Sequence, residues 1–145
     1  MIPTHIIMHH SLTADSGTVS WQAIRRYHTQ TLGWDDVGYH FCVELVNKEF
    51  EIMLGRMPHV MGAHCKDGGM NRKALGVCFV GNFDMAPPSI CQWISGVKLC
   101  ASICEVLSMD VSHVRAHRDY ANKTCPGRMF DMGRFRMDIG SEMRR

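Results

Sequence analysis

Short apolar runs separated by polar turns dominate the chain, and they predict strands more often than helices. Ile6–His10 and Leu75–Phe83 are nearly continuous apolar runs, which is typical of strands covered on both faces. Tyr39–Val46 and Phe50–Leu54 are separated by a short polar turn and predict a hairpin. A further short strand is expected at Val114–His117. These segments predict a sheet that contains one antiparallel pair.

Apolar residues at helical spacing predict three helices. The first is expected to begin near Ser20, after a Ser- and Thr-rich loop that offers hydroxyl caps, and to end at Gly33. Pro87-Pro88 opens a long second helix, and a terminal helix is expected to contain Phe130 and Phe135. The apolar stripe of the second helix is predicted to comprise Ile90, Trp93, Ile94, Val97, Ala101, Cys104 and Leu107.

The mixture of helices, strands and a hairpin indicates an α/β fold with a central mixed sheet flanked by helices. A chain of 145 residues and 16.4 kDa is the size of one ordinary domain. We therefore expect residues 1–145 to form a single domain. An all-parallel, doubly wound sheet is disfavoured, because the hairpin requires neighbouring antiparallel strands.

The charge balance and hydropathy exclude several classes of protein. Sixteen Lys and Arg against fourteen Asp and Glu give a net charge of +2, which does not indicate a nucleic-acid partner. No apolar run approaches the roughly 18 residues expected of a membrane-spanning helix. The first ten residues lack a basic region followed by a long apolar stretch, so no secretory signal is expected and synthesis in the cytoplasm is favoured.

Cysteine is abundant but shows no Cys-x-x-Cys spacing. Five of the seven cysteines lie in apolar stretches, where a free thiol behaves as a small hydrophobic side chain. They are Cys42, Cys78, Cys91, Cys100 and Cys104. Cys125 differs, because it lies in the polar loop ANKTCPG where no apolar pattern explains it.

Histidines next to predicted strand ends provide candidate metal ligands. His9 and His10 end the first strand, His117 ends a later one, and Cys125 follows eight residues further on. Catalytic zinc sites take three ligands from His, Cys and carboxylate side chains and leave a fourth position for water. Side chains alternate along a strand, so only one of His9 and His10 is expected at such a site. The spacing alone leaves open that each histidine is a hydrogen-bonded structural residue.

Four segments together resemble the zinc-dependent N-acetylmuramoyl-L-alanine amidases of the second amidase type. This family includes small lysozyme-amidases of tailed phages and the peptidoglycan recognition proteins. The matching segments occur in the family's order and at its spacing: IIMHHS, YHTQTLGWDDVGYHF, GAHCKDGGMNRKALGVCFVGNFD and AHRDYANKTCPG. Because they agree jointly over most of the chain, the match is more specific than any one short motif.

The resemblance implies a mixed-sheet α/β fold with one zinc ion per chain in a surface groove. By that resemblance the metal ligands are His9, His117 and Cys125. It implies further that Tyr39 and Lys123 are catalytic and that His64 lines the substrate groove. From the residues alone, the favoured interpretation of Tyr39 is a half-buried strand tyrosine and that of Lys123 is a solvated loop lysine.

The activity implied by the resemblance is zinc-dependent hydrolysis of the amide bond between N-acetylmuramic acid and L-alanine in peptidoglycan. A phage or prophage endolysin, released to the cell wall by a holin, is the favoured role. The alternatives are a cytoplasmic amidase that recycles wall fragments and a non-catalytic peptidoglycan-binding or regulatory module. Members that only recognise peptidoglycan tend to lack the cysteine ligand, so Cys125 favours an enzyme.

Overall fold

A mixed sheet of five strands forms the centre of the protein, in a computed structural model that describes residues 1–13 and 20–145. The strand order is β3-β2-β4-β1-β5, and only the β2–β3 hairpin is antiparallel. The strands are β1 (His5–His10), β2 (Phe41–Val46), β3 (Glu49–Leu54), β4 (Ala74–Phe79) and β5 (Val114–Ala116). The predicted mixed α/β sheet is therefore confirmed, with the apolar strand β4 at its centre.

Three helices flank the sheet: α1 (Trp21–Arg26), α2 (Ile90–Val106) and α3 (Met132–Glu142). A π-helical turn, Tyr27–Thr31, extends α1, and short 3-10 turns occupy residues 67–72, 111–113 and 117–119. None of the helices in the described residues is long and apolar enough to span a bilayer.

The first helix begins and ends as its sequence predicts. The Ser20 hydroxyl accepts a hydrogen bond from the Ala23 amide (3.3 Å) at the N-terminus. Gly33, with φ of +71°, follows the π-helical turn in the left-handed conformation that glycine favours. Most of the Ser- and Thr-rich loop that was expected to offer caps, residues 14–19, lies outside the described residues.

Alternation along β1 separates two kinds of surroundings. Ile6 and Met8 pack into the large core beneath α2 and α3, whereas Ile7 packs on the opposite face with Cys65 and Met70. Two-residue periodicity therefore directs His9 to the same face as Ile7, away from α2 and α3. The first strand thus contributes apolar residues to the core and a histidine to the other face.

The buried face of α2 differs from the predicted stripe at its N-terminal end. Ile90 and Ile94 are 70% and 45% exposed, while Gln92 is buried. The Gln92 side-chain amide donates to the backbone carbonyls of Val80 (2.8 Å) and Val43 (3.4 Å). The helix is rotated because this amide bonds carbonyls of β2 and of the residue that follows β4, which an isoleucine could not do.

Close packing at Gly96 also rotates α2 relative to the predicted stripe. A Cβ atom on Gly96 would lie 2.0 Å from the Phe79 ring, so α2 approaches β4 through a glycine that the predicted stripe omitted.

Two smaller expectations are also wrong. Cys91 is exposed and is not a buried hydrophobic residue. Phe130 is buried but precedes α3, because that helix begins only at Met132 after its Asp131 cap.

Candidate metal centre

Three buried donors converge at the carboxyl end of β1. Ligand atoms of His9, His117 and Cys125 all lie within 4.8 Å of one another. Met8 and Ala116 are paired on the parallel strands β1 and β5. His9 follows Met8 and His117 follows Ala116, so the two histidines leave the paired strands side by side. Their ring centroids are 4.6 Å apart. Sheet register therefore brings the two histidines together without any contribution from a long loop.

Arg118 holds the loop that carries Cys125. Its guanidinium donates to the backbone carbonyls of Thr124 (3.2 Å), Gly127 (2.7 Å) and Phe130 (3.1 Å). Its own amide donates to the carbonyl of Cys125 (2.8 Å). One side chain thus constrains the backbone on both sides of the thiol. Sequence reasoning missed this residue, because an arginine beside His117 has no distinguishing pattern.

Asp84 holds the same loop from the other side. Its carboxylate accepts hydrogen bonds from the Thr124 hydroxyl (2.7 Å) and the Arg128 amide (2.8 Å). These two bonds lower the pKa of Asp84 below its ordinary value. The carboxylate is therefore ionised at neutral pH and ties the turn that contains Cys125 to the end of β4.

The donor set fits a zinc ion. Zinc–nitrogen and zinc–sulfur bonds of about 2.0–2.1 and 2.3 Å at a tetrahedral angle separate the two ligand atoms by about 3.6 Å. The His9 Nδ1 and Cys125 Sγ atoms are 3.6 Å apart. Burial lowers the pKa of His117 to about 4 and raises that of Cys125 to about 12, so these groups are uncharged by themselves. A divalent cation would stabilise the thiolate form of this buried cysteine.

The two adjacent histidines of β1 have different partners. His9 is almost fully buried in the donor cluster, and burial lowers its pKa well below the usual value. His10 lies on the opposite side of the strand, where its Nδ1 accepts from the Phe83 amide (3.2 Å). The structure therefore brings His9, and not His10, to the other two donors, as the resemblance implies.

Tyr39 lies beside the cluster in the segment that precedes β2. Its ring centroid is 5.2 Å from that of His9. The strand begins at Phe41, two residues later than the sequence pattern predicts. Burial, and then the neighbouring thiols of Cys78 and Cys125, raise the pKa of Tyr39 well above its usual value. At neutral pH the side chain is a phenol with a proton to donate.

Lys123 borders a cleft that the donor His117 also lines. This cleft has a volume of about 430 Å³, and Trp34, His64 and Lys66 line it as well. A second cleft of similar size, about 430 Å³, adjoins Tyr39 and is lined by Tyr27 and residues of α1. The donor cluster therefore reaches the first cleft through His117, and the second cleft is lined by Tyr39, whose ring lies beside that of His9.

His64 is closer to the donors than a groove-lining role requires. Its Nδ1 lies 3.0 Å from His9 Nε2, and its Nε2 lies 3.2 Å from the Ala74 carbonyl oxygen. Burial lowers its pKa to about 3, so the imidazole is neutral. The side chain is 8% exposed, as is that of His117, and both residues line the cleft that Lys123 borders.

His40 is another buried histidine, and its hydrogen-bond partners were not predicted from the sequence. Its Nδ1 accepts from the Gly76 amide (2.9 Å) and its Nε2 donates to the Val60 carbonyl (3.0 Å). The ring thereby joins β4 to the loop that leads to His64. No local sequence signal predicts this role, because the partners are 36 and 20 residues away.

Comparison with known proteins gives matches that cover most of the chain. Residues 1–128 match the family described as N-acetylmuramoyl-L-alanine amidase. An endolysin of Enterobacteria phage T3 is 34% identical over 135 residues, which is 90% of this chain and 83% of the relative. Peptidoglycan-recognition protein SC2 of Drosophila melanogaster is 30% identical over 131 residues, covering 86% and 68% of the two chains.

A solved structure shows the same fold. The N-acetylmuramoyl-L-alanine amidase LysC from Clostridium intestinale superposes with a TM-score of 0.83 at 25% sequence identity. The match covers 97% of this chain and 87% of that one. The sheet and its flanking helices therefore have a direct structural counterpart.

Proposed function

This chain belongs to the N-acetylmuramoyl-L-alanine amidase family, and we propose that it works as a zinc enzyme whose metal is held by His9, His117 and Cys125. The reaction is hydrolysis of the amide between N-acetylmuramic acid and L-alanine in peptidoglycan, in the role of a phage endolysin. The observation that carries the metal assignment is the convergence of three buried donors within 4.8 Å of one another, with His9 Nδ1 and Cys125 Sγ at the 3.6 Å that suits tetrahedral zinc.

An unactivated amide requires both a strong nucleophile and stabilisation of the negative charge that develops on its oxygen. When bound, zinc supplies a coordinated water of lowered pKa and polarises a carbonyl oxygen. The protein's own residues must then orient the amide between the two clefts, exclude bulk water and place a proton on the departing amine of L-alanine.

Tyr39 and Lys123 suit the remaining tasks from opposite sides of the cluster. The Tyr39 phenol, next to His9, orients the attacking water by a hydrogen bond. The exposed Lys123 ammonium borders the cleft that His117 also lines, where it stabilises the oxyanion. With Tyr39 on one side and Lys123 on the other, the scissile amide is expected to lie across the mouth of the donor cluster.

The two clefts suggest how a long substrate is held. Peptidoglycan extends from the scissile amide in two directions, as glycan on one side and as stem peptide on the other. Open clefts of about 430 Å³ on both sides of the cluster accommodate such a substrate. Lysine side chains 66 and 123 favour an anionic group in the cleft that they share.

The rival function is recognition of peptidoglycan without cleavage. Peptidoglycan-recognition protein SC2, at 30% identity, is similar to this chain and keeps that rival open to test. Cys125 favours catalysis, because a buried thiol beside two imidazoles has a clear use in binding a metal and none in binding a sugar or peptide.

Zinc content and sacculus hydrolysis, measured on the same preparations, distinguish the two functions. The wild-type protein is expected to contain one zinc per chain and to release free stem peptide from purified sacculi. Cys125→Ala is expected to lose both properties. Cys100→Ala is the matched control, since Cys100 lies on the buried face of α2 and its replacement is expected to affect stability only.

Retention of zinc and activity by Cys125→Ala would show that the ligand set is wrong. A wild-type protein that binds sacculi but releases no peptide would instead support the recognition function. Delivery to the wall by a holin is part of the proposed endolysin role. Lysis of cells that express the protein with a holin, but not without one, is the expected result.

A further inference from the structure

His64 lies between a candidate metal ligand and a strand carbonyl, with a nitrogen directed at each. We propose that His64 is a positioning residue that accepts the Nε2 proton of His9 and thereby keeps the Nδ1 lone pair of His9 directed at the metal. This inference rests on the proposed function, because it assumes that His9 is a ligand. It differs from the expectation that His64 contacts the substrate.

The direction of the hydrogen bonds follows from what each partner is able to donate. The Ala74 carbonyl oxygen only accepts, so the His64 Nε2 at 3.2 Å must carry the hydrogen. A neutral imidazole has one N–H group, which leaves His64 Nδ1 as an acceptor. The His9 Nε2 at 3.0 Å must therefore donate to it.

The tautomer of His9 is set by the same chain of bonds. With its hydrogen on Nε2, His9 carries its lone pair on Nδ1, which lies 3.6 Å from the Cys125 sulfur. Metal-bound histidines commonly donate their second ring N–H to a carbonyl, a carboxylate or water, and that bond orients the ring. Here the acceptor is another histidine, whose own orientation depends on the backbone of β4.

The surroundings of His64 hold its ring in one orientation. A Cβ atom on Gly76 or on Gly62 would lie 2.5 Å from the imidazole, so both glycines leave space that the ring fills. The backbone is fixed as well, because the amides of His64 (2.7 Å) and Cys65 (2.8 Å) both donate to the Asn71 side-chain oxygen. A ring confined in this way is suited to orient its neighbour.

His40 does not compete for the nitrogens of His64. The two ring centroids are 5.6 Å apart, but both His40 nitrogens are engaged with the Gly76 amide and the Val60 carbonyl. Both His64 nitrogens are likewise engaged, by His9 and Ala74. Both ring nitrogens of His64 are therefore engaged within the protein, which is why we assign its hydrogen bonds to the metal ligand and not to a substrate.

Zinc affinity of substituted proteins tests the proposal without an activity assay. His64→Leu removes the acceptor, whereas His64→Asn retains an oxygen close to the position of Nδ1. Competition with a chromogenic chelator is expected to show zinc binding weakened about 10- to 100-fold in His64→Leu. His64→Asn is expected to restore most of the lost affinity. Equal affinities for wild type and His64→Leu would overturn the proposal.

His28→Leu is the matched control. His28 is also 8% exposed, and its Nδ1 accepts from the Gly38 amide (3.0 Å), but it has no hydrogen bond to a candidate ligand. Its replacement is expected to lower the unfolding midpoint while leaving zinc affinity unchanged. If His28→Leu weakened zinc binding as much as His64→Leu, the effect would be general loss of structure and the proposal would be wrong.

Nuclear magnetic resonance on the metal-free, ¹⁵N-labelled wild-type protein detects the hydrogen bond between His9 and His64 directly. We expect a through-bond nitrogen–nitrogen coupling between His9 Nε2 and His64 Nδ1, and an unprotonated His9 Nδ1. A hydrogen on His9 Nδ1 would overturn the proposal, even if His64→Leu failed to fold. Absence of zinc binding by the wild type would instead overturn the proposed function from which this inference starts.

Discussion

The two faces of β1 bury side chains of opposite character. On the face covered by α2 and α3, called the helix-covered face below, Phe79, Phe130 and Phe135 pack edge to face. Their ring centroids are between 5.1 and 5.9 Å apart. On the other face, His9 and His64 are also buried but are joined by a hydrogen bond. The first arrangement stabilises the fold by removing apolar surface from water. The second depends on that stability, because only the folded chain holds the polar donors close together.

This contrast predicts that the two faces respond differently to substitution. Loss of an aromatic ring from the helix-covered face should reduce the free energy of unfolding. It should not change the zinc content or the rate of hydrolysis per folded molecule. Loss of a donor from the opposite face should abolish the chemistry at little cost in stability. Each prediction below compares one face with the other or two neighbouring residues.

The largest effect is expected from His9→Ala, set against His10→Ala. His9 is in the donor cluster, whereas His10 contacts Phe83 on the opposite side of the strand. His9→Ala should lose zinc and sacculus hydrolysis together, because two remaining ligands hold the metal poorly. His10→Ala should retain one zinc per chain and most of the activity. The reverse pattern, measured by metal analysis and peptide release, would contradict the β1 register.

Tyr39→Phe and Lys123→Ala are expected to lower turnover by about 100-fold or more each, the scale of an acid–base or oxyanion group. Both variants should keep their zinc, since neither residue is among the three donors. Metal analysis beside steady-state hydrolysis of a soluble muropeptide checks both points. Loss of zinc in either variant would mean that the residue supports the metal centre, and near-normal turnover would leave it a structural role only.

Phe135→Ala tests the helix-covered face. Phe135 is fully buried against Phe79 and Phe130, and removal of such a ring costs about 3–5 kcal/mol of unfolding free energy. Urea unfolding should show this loss, while zinc content and turnover per folded molecule stay close to those of the wild type. A large fall in turnover at full folding would show that the two faces are coupled.

The smallest effect concerns pH and the buried histidine His40. Burial lowers its pKa, so below about pH 6.5 the unfolded chain binds a proton that the folded chain does not. Stability should therefore fall as pH decreases, by at most about 1.4 kcal/mol per pH unit for each such histidine. Urea unfolding of the metal-free protein at pH 7 and pH 5 should show a smaller decrease in His40→Asn than in wild type. An equal decrease in the free energy of unfolding of the two proteins would show that His40 does not contribute to this pH dependence.

Local sequence patterns were sufficient for the strands, but not for the contacts between them. The apolar runs predicted β1 and the start of β4, although β4 ends at Phe79 and not at Phe83. The family motifs led to the cluster that the structure brings together around His9. The supporting residues were missed, because Arg118 and His40 act on backbone groups that only the folded chain brings near. Their partners carry no recognisable side-chain pattern.

The rotation of α2 has the same physical cause. Ile90 and Ile94 fit a helical stripe, yet Gln92 and Gly96 face the sheet, because two strand carbonyls need a donor and Phe79 needs room. Hydropathy counts only the side chains of the helix itself. It contains no information about the surface that the helix must match.

X-ray absorption at the zinc edge of the purified wild-type protein tests the central claim most directly. The account predicts one sulfur ligand at about 2.3 Å and nitrogen ligands at about 2.0–2.1 Å, with the multiple-scattering pattern of two imidazoles. The sulfur shell should disappear in Cys125→Ser and persist in Cys100→Ala. A zinc ion with no sulfur neighbour, or a sulfur shell that survives in Cys125→Ser, would contradict a centre formed by His9, His117 and Cys125.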